Sequence, residues 1–173
     1  MEKIIINDFN LNENDIETTV IRVKGLIINS SGKILIAHNN NTYQFPGGHL
    51  DDCETMEQCL KREIKDETGI NVDILEEAFL CISTYDNNYF NSGKKVLNNI
   101  YYFRIFTDEV PNYDETHYDE LELASDFNLF YVEFNDLENF LKKCIDDDSI
   151  DKNIGREMLL VVDTYNKIYG GNV

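Results

Sequence analysis

Between the glycine pair Gly47–Gly48 and the isolated Gly69, the chain carries one segment that reads as a helix, residues 55–68. Thr55 and Gln58 have capping-box spacing at its start. Pro46, one of only two prolines in 173 residues, stands just ahead of the glycines. With Leu60 at the centre of the apolar stripe, Ile64 and Met56 lie about 40° to either side at roughly 100° per residue. Glu67 then falls about 20° from Leu60, and Glu63 about 20° from Met56. Asp66 lies beside Cys59 on the same flank, whereas Lys61, Lys65 and Arg62 project to the opposite, solvated side. Three carboxylates therefore border the face that has to pack.

That arrangement is unfavourable on its own. Like charges three and four residues apart repel on a helix. A buried carboxylate without a partner is costly, and neighbouring acids raise one another's pKa. Two resolutions are open. The acids sit at the edge of the stripe and reach water, or a divalent cation gathers them. Carboxylates on successive turns form an oxygen-only site suited to Mg²⁺ or Mn²⁺.

The helix is surrounded by strand-like runs. "TTVIRVKGLII" (18–28) and "ILIAH" (34–38) flank "NSSGK" and read as a hairpin. "TYQF" is a short strand leading into the glycine pair. "NVDILEEAFLCISTY" (71–85) and "VLNNIYYFRIF" (96–106) read as long strands, separated by the loop "NNYFNSGKK". Residues 107–126 read as an irregular loop with eight acids and no Lys or Arg. "NLFYVEF" is a further strand, followed by a helix capped by Asn135, with Glu138 three residues on. A last helix is expected over 151–168, closed by Gly170 and Gly171. The expected fold is a mixed α/β or α+β arrangement in a single domain, 1–173.

Charge narrows the partners. Thirty-three acids against fifteen basic residues give a formal charge of −18. Nucleic acid and anionic membrane are held through Lys and Arg, so both are disfavoured. No apolar run has the length of a membrane span. The acidic start, "MEKIIINDFNLNEND", has no signal-peptide core. A soluble, cytoplasmic protein is expected. Cys53, Cys59, Cys81 and Cys144 form no C-x-x-C pair, and His38, His49 and His117 are scattered, so reduced structural thiols are expected.

The stretch 48–70 resembles the Nudix box: Gly48, five residues, Glu54, seven residues, then "REIKDETGI". Gly48, Glu54, Arg62, Glu63, Ile64, Glu67, Gly69 and Ile70 match, and Asp66 stands where that family usually has Glu. The lead-in "YQFPGG" resembles the family's approach to the box. The resemblance implies an α/β/α sandwich around a mixed sheet. It implies Mg²⁺- or Mn²⁺-dependent hydrolysis of a nucleoside diphosphate linked to another moiety. Glu63, Asp66 and Glu67 would be the metal ligands, with the Gly48 carbonyl as a further one. Glu63 would also activate the water. Arg62 would hold Glu54 by ion pairing and point away from the metal. Gly47 and Gly48 would let the backbone approach closely. The family often supplies another acid from a distant loop, and Glu120 and Glu122 are the candidates here. A homodimer is also compatible with the family.

The substrate is less legible. Tyr85 lies near the place where some dinucleoside-polyphosphate hydrolases of the family carry a Tyr. Tyr43, Phe45, Tyr101 and Tyr102 have the chemistry to stack on a base, but aromatics in such runs more often form strand core. A non-catalytic nucleotide-binding regulatory domain is the alternative reading. An RNA-end hydrolase is disfavoured by the lack of a basic patch.

Overall fold

The structure is a computed structural model and describes residues 1–39, 42–118, 123 and 125–170. Its centre is a seven-stranded mixed sheet. The strands are β1 (Glu2–Ile6), β2 (Thr18–Ile28), β3 (Lys33–Asn39), β4 (Thr42–Gln44), β5 (Leu80–Asp86), β6 (Val96–Phe106) and β7 (Asn128–Glu133). The order is β1-β5-β6-β2-β3-β4, with β7 also paired to β3. The β1–β5 and β2–β6 ladders are parallel and the others antiparallel. Helix α1 (Met56–Thr68) covers one face of the sheet, and α2 (Phe134–Asp146) and α3 (Lys152–Tyr169) cover the other. The result is the expected sandwich.

Alternation along the strands builds both layers. Val23 and Ile27 of β2 pack with Phe103, Ile105 and the α1 residues Leu60 and Ile64. Leu26 and Ile28 point the other way, into a core with Ile100, Tyr102, Leu137, Met158 and Tyr165. Gly25 lies under α1. A Cβ there would stand 3.1 Å from Cδ1 of Ile64 and 2.9 Å from Cδ1 of Ile105, so its absence lets the helix approach the sheet.

Several expectations need correction. Residues 71–79 are not strand; β5 begins only at Leu80, where pairing with Tyr102 starts. Leu75 is 88% exposed, whereas Val72, Ile74, Ala78 and Phe79 pack against the cores without strand pairing. Helix α2 begins at Phe134 with Glu133 as its flanking residue, so Asn135 lies inside the first turn and is not the cap. Burial of Phe134 against the core sets this start. The last helix begins at Lys152, with the Asp151 carboxylate accepting from the N–H groups of Asn153 and Ile154, and it ends at Gly170 in the left-handed conformation. Strand β1 carries no signal strong enough to be read from the sequence, because two of its five residues are charged and it lies at the sheet edge.

Candidate functional site

Helix α1 is defined at both ends. The Thr55 hydroxyl accepts from the Gln58 N–H at 3.2 Å, and the Gln58 side chain accepts from the Thr55 N–H at 2.9 Å. Gly69 closes the helix at φ 71°, with its N–H bonded to the Lys65 carbonyl at 2.8 Å. A side chain at Gly69 would collide with the Asn112 carbonyl. The acidic loop docks there: Asn112 N–H donates to the Thr68 carbonyl and His117 N–H to the Asp66 carbonyl, each at 2.9 Å.

Ahead of α1, residues 46–50 run antiparallel beside β2. Val23 N–H donates to the Gly48 carbonyl, Gly25 N–H to that of Pro46, and Leu50 N–H to that of Ile21. Gly47 adopts φ 134°, and a Cβ on it would run into the Val23 carbonyl. A Cβ on Gly48 would occupy the position of the Glu63 carboxyl group. The glycine pair thus seats the loop on β2 and leaves room for the Glu63 head group.

The carboxylates have distinct surroundings. Glu67 is 5% exposed, and its Oε2 accepts from the Gly47 N–H at 2.9 Å. Glu63 lies beneath Gly48 with Oε1 2.8 Å from Nη1 of Arg62. Asp66 turns towards Nδ1 of His117, 3.4 Å away. Arg62 grips Glu54 with two bonds, Nε to Oε1 at 2.7 Å and Nη2 to Oε2 at 2.8 Å. Its bond to Glu63 corrects the projection that put Arg62 on the far side. A helical wheel fixes where Cβ starts, and a long guanidinium reaches around the helix. The bonds from Arg62 hold Glu54 down at about 2.

The sequence reading missed Lys24. It projects from β2 on the face away from α1, is 6% exposed, and donates from Nζ to Oε1 of Gln44 at 3.0 Å and to the Phe45 carbonyl at 3.4 Å. Burial lowers its pKa, while the charges of Glu157, Glu67 and Glu63 act in the opposite sense. The α1 acids are therefore partly offset by Arg62, Lys24 and the Gly47 amide, while Lys61 and Lys65 engage Glu57, Asp73 and Glu115 instead. Cys59 is no nucleophile. Burial, then Glu63, raise it to about 12, and its Sγ is bonded to the His49 carbonyl.

A hard cation is compatible with this donor set. Glu63 and Glu67 present carboxylates one turn apart beneath a backbone that admits no side chain, and every donor is oxygen. Among the described residues no group of three His, Cys, Asp or Glu converges on a single point. Mg²⁺ commonly takes only one or two carboxylates and completes its shell with water and phosphate oxygens. The Gly48 carbonyl already accepts from Val23, leaving its second lone pair to serve as a ligand. Glu120 and Glu122 lie outside the described residues. Phe45 and Tyr102 are fully buried and packed edge to face, so neither can stack on a base. Tyr43 packs on Phe130 and Phe140.

A family model described as the NUDIX domain matches residues 18–152. The chain belongs to the Nudix family. The Nudix box is the loop–helix–loop described above, and the whole sheet except β1 falls within the match. Among curated relatives, an 8-oxo-dGTP diphosphatase of Proteus vulgaris is 41% identical over 54 residues, 28% of this chain and 48% of that protein. A MutT-like protein of Streptomyces ambofaciens is 36% identical over 58 residues, 32% and 38%. The NAD-capped RNA hydrolase NudC of Vibrio atlanticus is 43% identical over 49 residues, 26% and 18%. The match thus spans less than half the length of each of these relatives. The MutT protein of Methanosarcina mazei Go1 superposes with a TM-score of 0.55 at 18% identity, covering 86% of this chain and 96% of that one. The MutT protein of Bacillus halodurans gives 0.51 at 18% identity, covering 69% and 72%. These two likenesses speak for the fold alone. No helix among the described residues is long and apolar enough to cross a membrane.

Proposed function

We propose that this Nudix protein hydrolyses a diphosphate bond in a small nucleoside diphosphate derivative with the help of Mg²⁺ or Mn²⁺. The observation that carries the reading is the placement of Glu63 and Glu67 one turn apart beneath Gly47–Gly48. When bound, the divalent ion neutralises the phosphates and lowers the pKa of a coordinated water. Glu63, Glu67 and the Gly48 carbonyl would hold it, with Asp66 at its margin beside His117.

The protein's own groups do the rest. Glu67 is fixed through the Gly47 amide, so its carboxylate does not reorient when charge develops. Glu63 is the acceptor for the proton of the attacking water, and the Arg62 bond to its Oε1 sets the direction of the carboxylate. Arg62 is itself locked by Glu54. Lys24 contributes a fixed positive charge in a molecule that otherwise repels anions. The same net charge supports a small-molecule substrate over nucleic acid and is compatible with a cytoplasmic protein.

The experiment is release of phosphate-containing product from ADP-ribose, nucleotide sugars, diadenosine polyphosphates and nucleoside triphosphates, with Mg²⁺, Mn²⁺ or EDTA. Cleavage of one class, abolished by EDTA, supports the proposal. Tight nucleotide binding without cleavage of any of them replaces it with a regulatory nucleotide-binding domain.

A further inference from the structure

Arg22 differs from the other three arginines of the chain. Arg62, Arg104 and Arg156 each grip a carboxylate. Arg22 has no carboxylate partner among the described residues, in a chain with 33 acids. Both of its partners are neutral. Nε donates to Nε2 of His49 at 3.0 Å, and Nη2 to the Tyr89 hydroxyl at 2.9 Å. The ring of Phe90 lies 5.9 Å from the guanidinium carbon. These contacts fix the direction of the guanidinium without neutralising its charge. A guanidinium has five N–H donors, so two bonds leave three.

The same contacts fix the tautomer of His49. A guanidinium only donates, so Nε2 of His49 is an acceptor. The Tyr89 hydroxyl lies 3.4 Å from the same nitrogen. That hydroxyl accepts from Arg22, which leaves its own proton to give to Nε2. Two donors therefore converge on Nε2, and the ring proton sits on Nδ1. The His49 side chain is exposed, and Nδ1 has no hydrogen-bond partner among the described residues.

The pair stands beside the box. Arg22 and His49 form an antiparallel bridge, so their side chains share a face. It is the face opposite to Val23, which packs with α1. His49 follows Gly48 directly, with Cα atoms about 3.8 Å apart. The Gly48 carbonyl lies in the ladder between the two faces, bonded to the N–H of Val23, the residue after Arg22. One extended segment thus carries the carbonyl proposed to hold the ion and, next to it, a fixed imidazole N–H backed by a guanidinium.

Resting on the diphosphate-hydrolase reading, we propose that His49 and Arg22 form a donor pair for a phosphate of the substrate. Nδ1–H of His49 and the remaining N–H groups of Arg22 receive the non-bridging oxygens of a phosphate held beside the ion at Gly48. A planar guanidinium matches phosphate geometry, and bonds from a charged donor are the stronger kind. The pair also gives an anion a local foothold on a molecule of charge −18.

The test uses methylenediphosphonate with Mg²⁺, a probe whose P–C–P bridge cannot be hydrolysed. Long-range ¹H–¹⁵N correlation on histidine-labelled protein reads the ring, and His49→Asn assigns the signals. His49 is expected to show a bare Nε2 and a protonated Nδ1, and the Nδ1 signal should move when the probe is added. In calorimetry, His49→Leu should bind the probe about tenfold more weakly, the loss of one good hydrogen bond to an anion. His49→Asn places an amide N–H where Nδ1–H stood and should stay within about threefold of wild type. Arg22→Met should lose about tenfold or more. A proton on Nε2, or an Nδ1 signal indifferent to the probe, overturns the proposal. So does full affinity in His49→Leu with a lowered melting point, which is the result if these bonds only pin the loops together. Equal losses in the Asn and Leu variants would trace the effect to the broken Arg22 bond and also overturn it. Binding that depends on His49, with no nucleotide cleaved, keeps the donor pair and removes the hydrolase. Cleavage of nucleotides with unchanged probe affinity in His49→Leu does the reverse.

Discussion

Oε2 of Glu67 accepts a hydrogen bond from the backbone N–H of Gly47 at 2.9 Å. The bond joins α1 to the loop seated on β2, and both partners are buried. It explains how an acid can occupy the packing face of a helix. The carboxylate is solvated by an amide instead of by water. It also fixes one of the two carboxylates proposed to hold the metal.

Glu67→Gln keeps an acceptor for the Gly47 amide and removes the charge. We expect kcat to fall by about a thousandfold, corresponding to several kcal/mol of lost electrostatic stabilisation, with the thermal midpoint nearly unchanged. Steady-state kinetics beside a melting curve measure both. Near-normal turnover would remove Glu67 from the metal site. Gly47→Ala should act the other way round: its Cβ meets the Val23 carbonyl, and stability should drop by at least about 2 kcal/mol.

The Arg62–Glu54 pair carries a pH dependence. Arg62 holds Glu54 at about 2, below its ordinary 4.5. A carboxylate with a depressed pKa stabilises the fold above its unfolded value, and that contribution fades as pH falls from 4.5 through about 2. The stability difference between wild type and Glu54→Gln should therefore be constant above pH 4.5 and shrink below it. Urea unfolding at a series of pH values gives this difference. A gap that stays constant down to pH 2 would contradict the assignment.

Lys24→Met leaves Oε1 of Gln44 and the Phe45 carbonyl without their donor. It also removes the positive charge that acts through the field on Glu157, Glu67 and Glu63. Stability should fall by about 1–3 kcal/mol. Affinity for Mn²⁺ should rise, because a like charge near the ion is gone, while affinity for tripolyphosphate should fall. Opposite movement of the two affinities in calorimetry distinguishes a charge effect from general loosening of the site.

Cys53 adopts φ 71° in the loop between Gly48 and Glu54, a conformation unfavourable for a residue with a Cβ by roughly 1–2 kcal/mol. It is exposed and holds no core contact that its loss would remove. Cys53→Gly should raise stability by about 1 kcal/mol, since part of the relieved strain is offset by added freedom in the unfolded chain. Chemical denaturation measures it, and a loss of stability would mean that the Cys53 side chain makes a contact not seen here.

Features encoded within a few residues were legible from the sequence. The α1 boundaries follow from Thr55, Gln58 and Gly69, because capping bonds span three or four positions and need no distant partner. The hairpin of β2 and β3 and the long β6 follow from runs of β-branched and aromatic residues. The box residues Glu54, Arg62, Glu63 and Glu67 follow from their spacing on one loop and helix.

What only the tertiary structure decided are relations across the sheet. Sequence periodicity assigns 71–79 an apolar pattern, but a strand needs a neighbour to pair with, and pairing begins only where Leu80 meets Tyr102. Lys24 reads as one charge in an apolar strand until the fold sets it near Glu67, 43 positions on, and Glu157, 133 positions on. Asn98 reads as strand filler until the register sets it beside Thr84, with its Oδ1 buried and without a hydrogen-bond partner among the described residues. Caps and helical faces arise from bonds between near neighbours and are written locally. Counter-charges, cavities and strand partners arise from register between segments far apart in the chain, and no local pattern of residues carries that register.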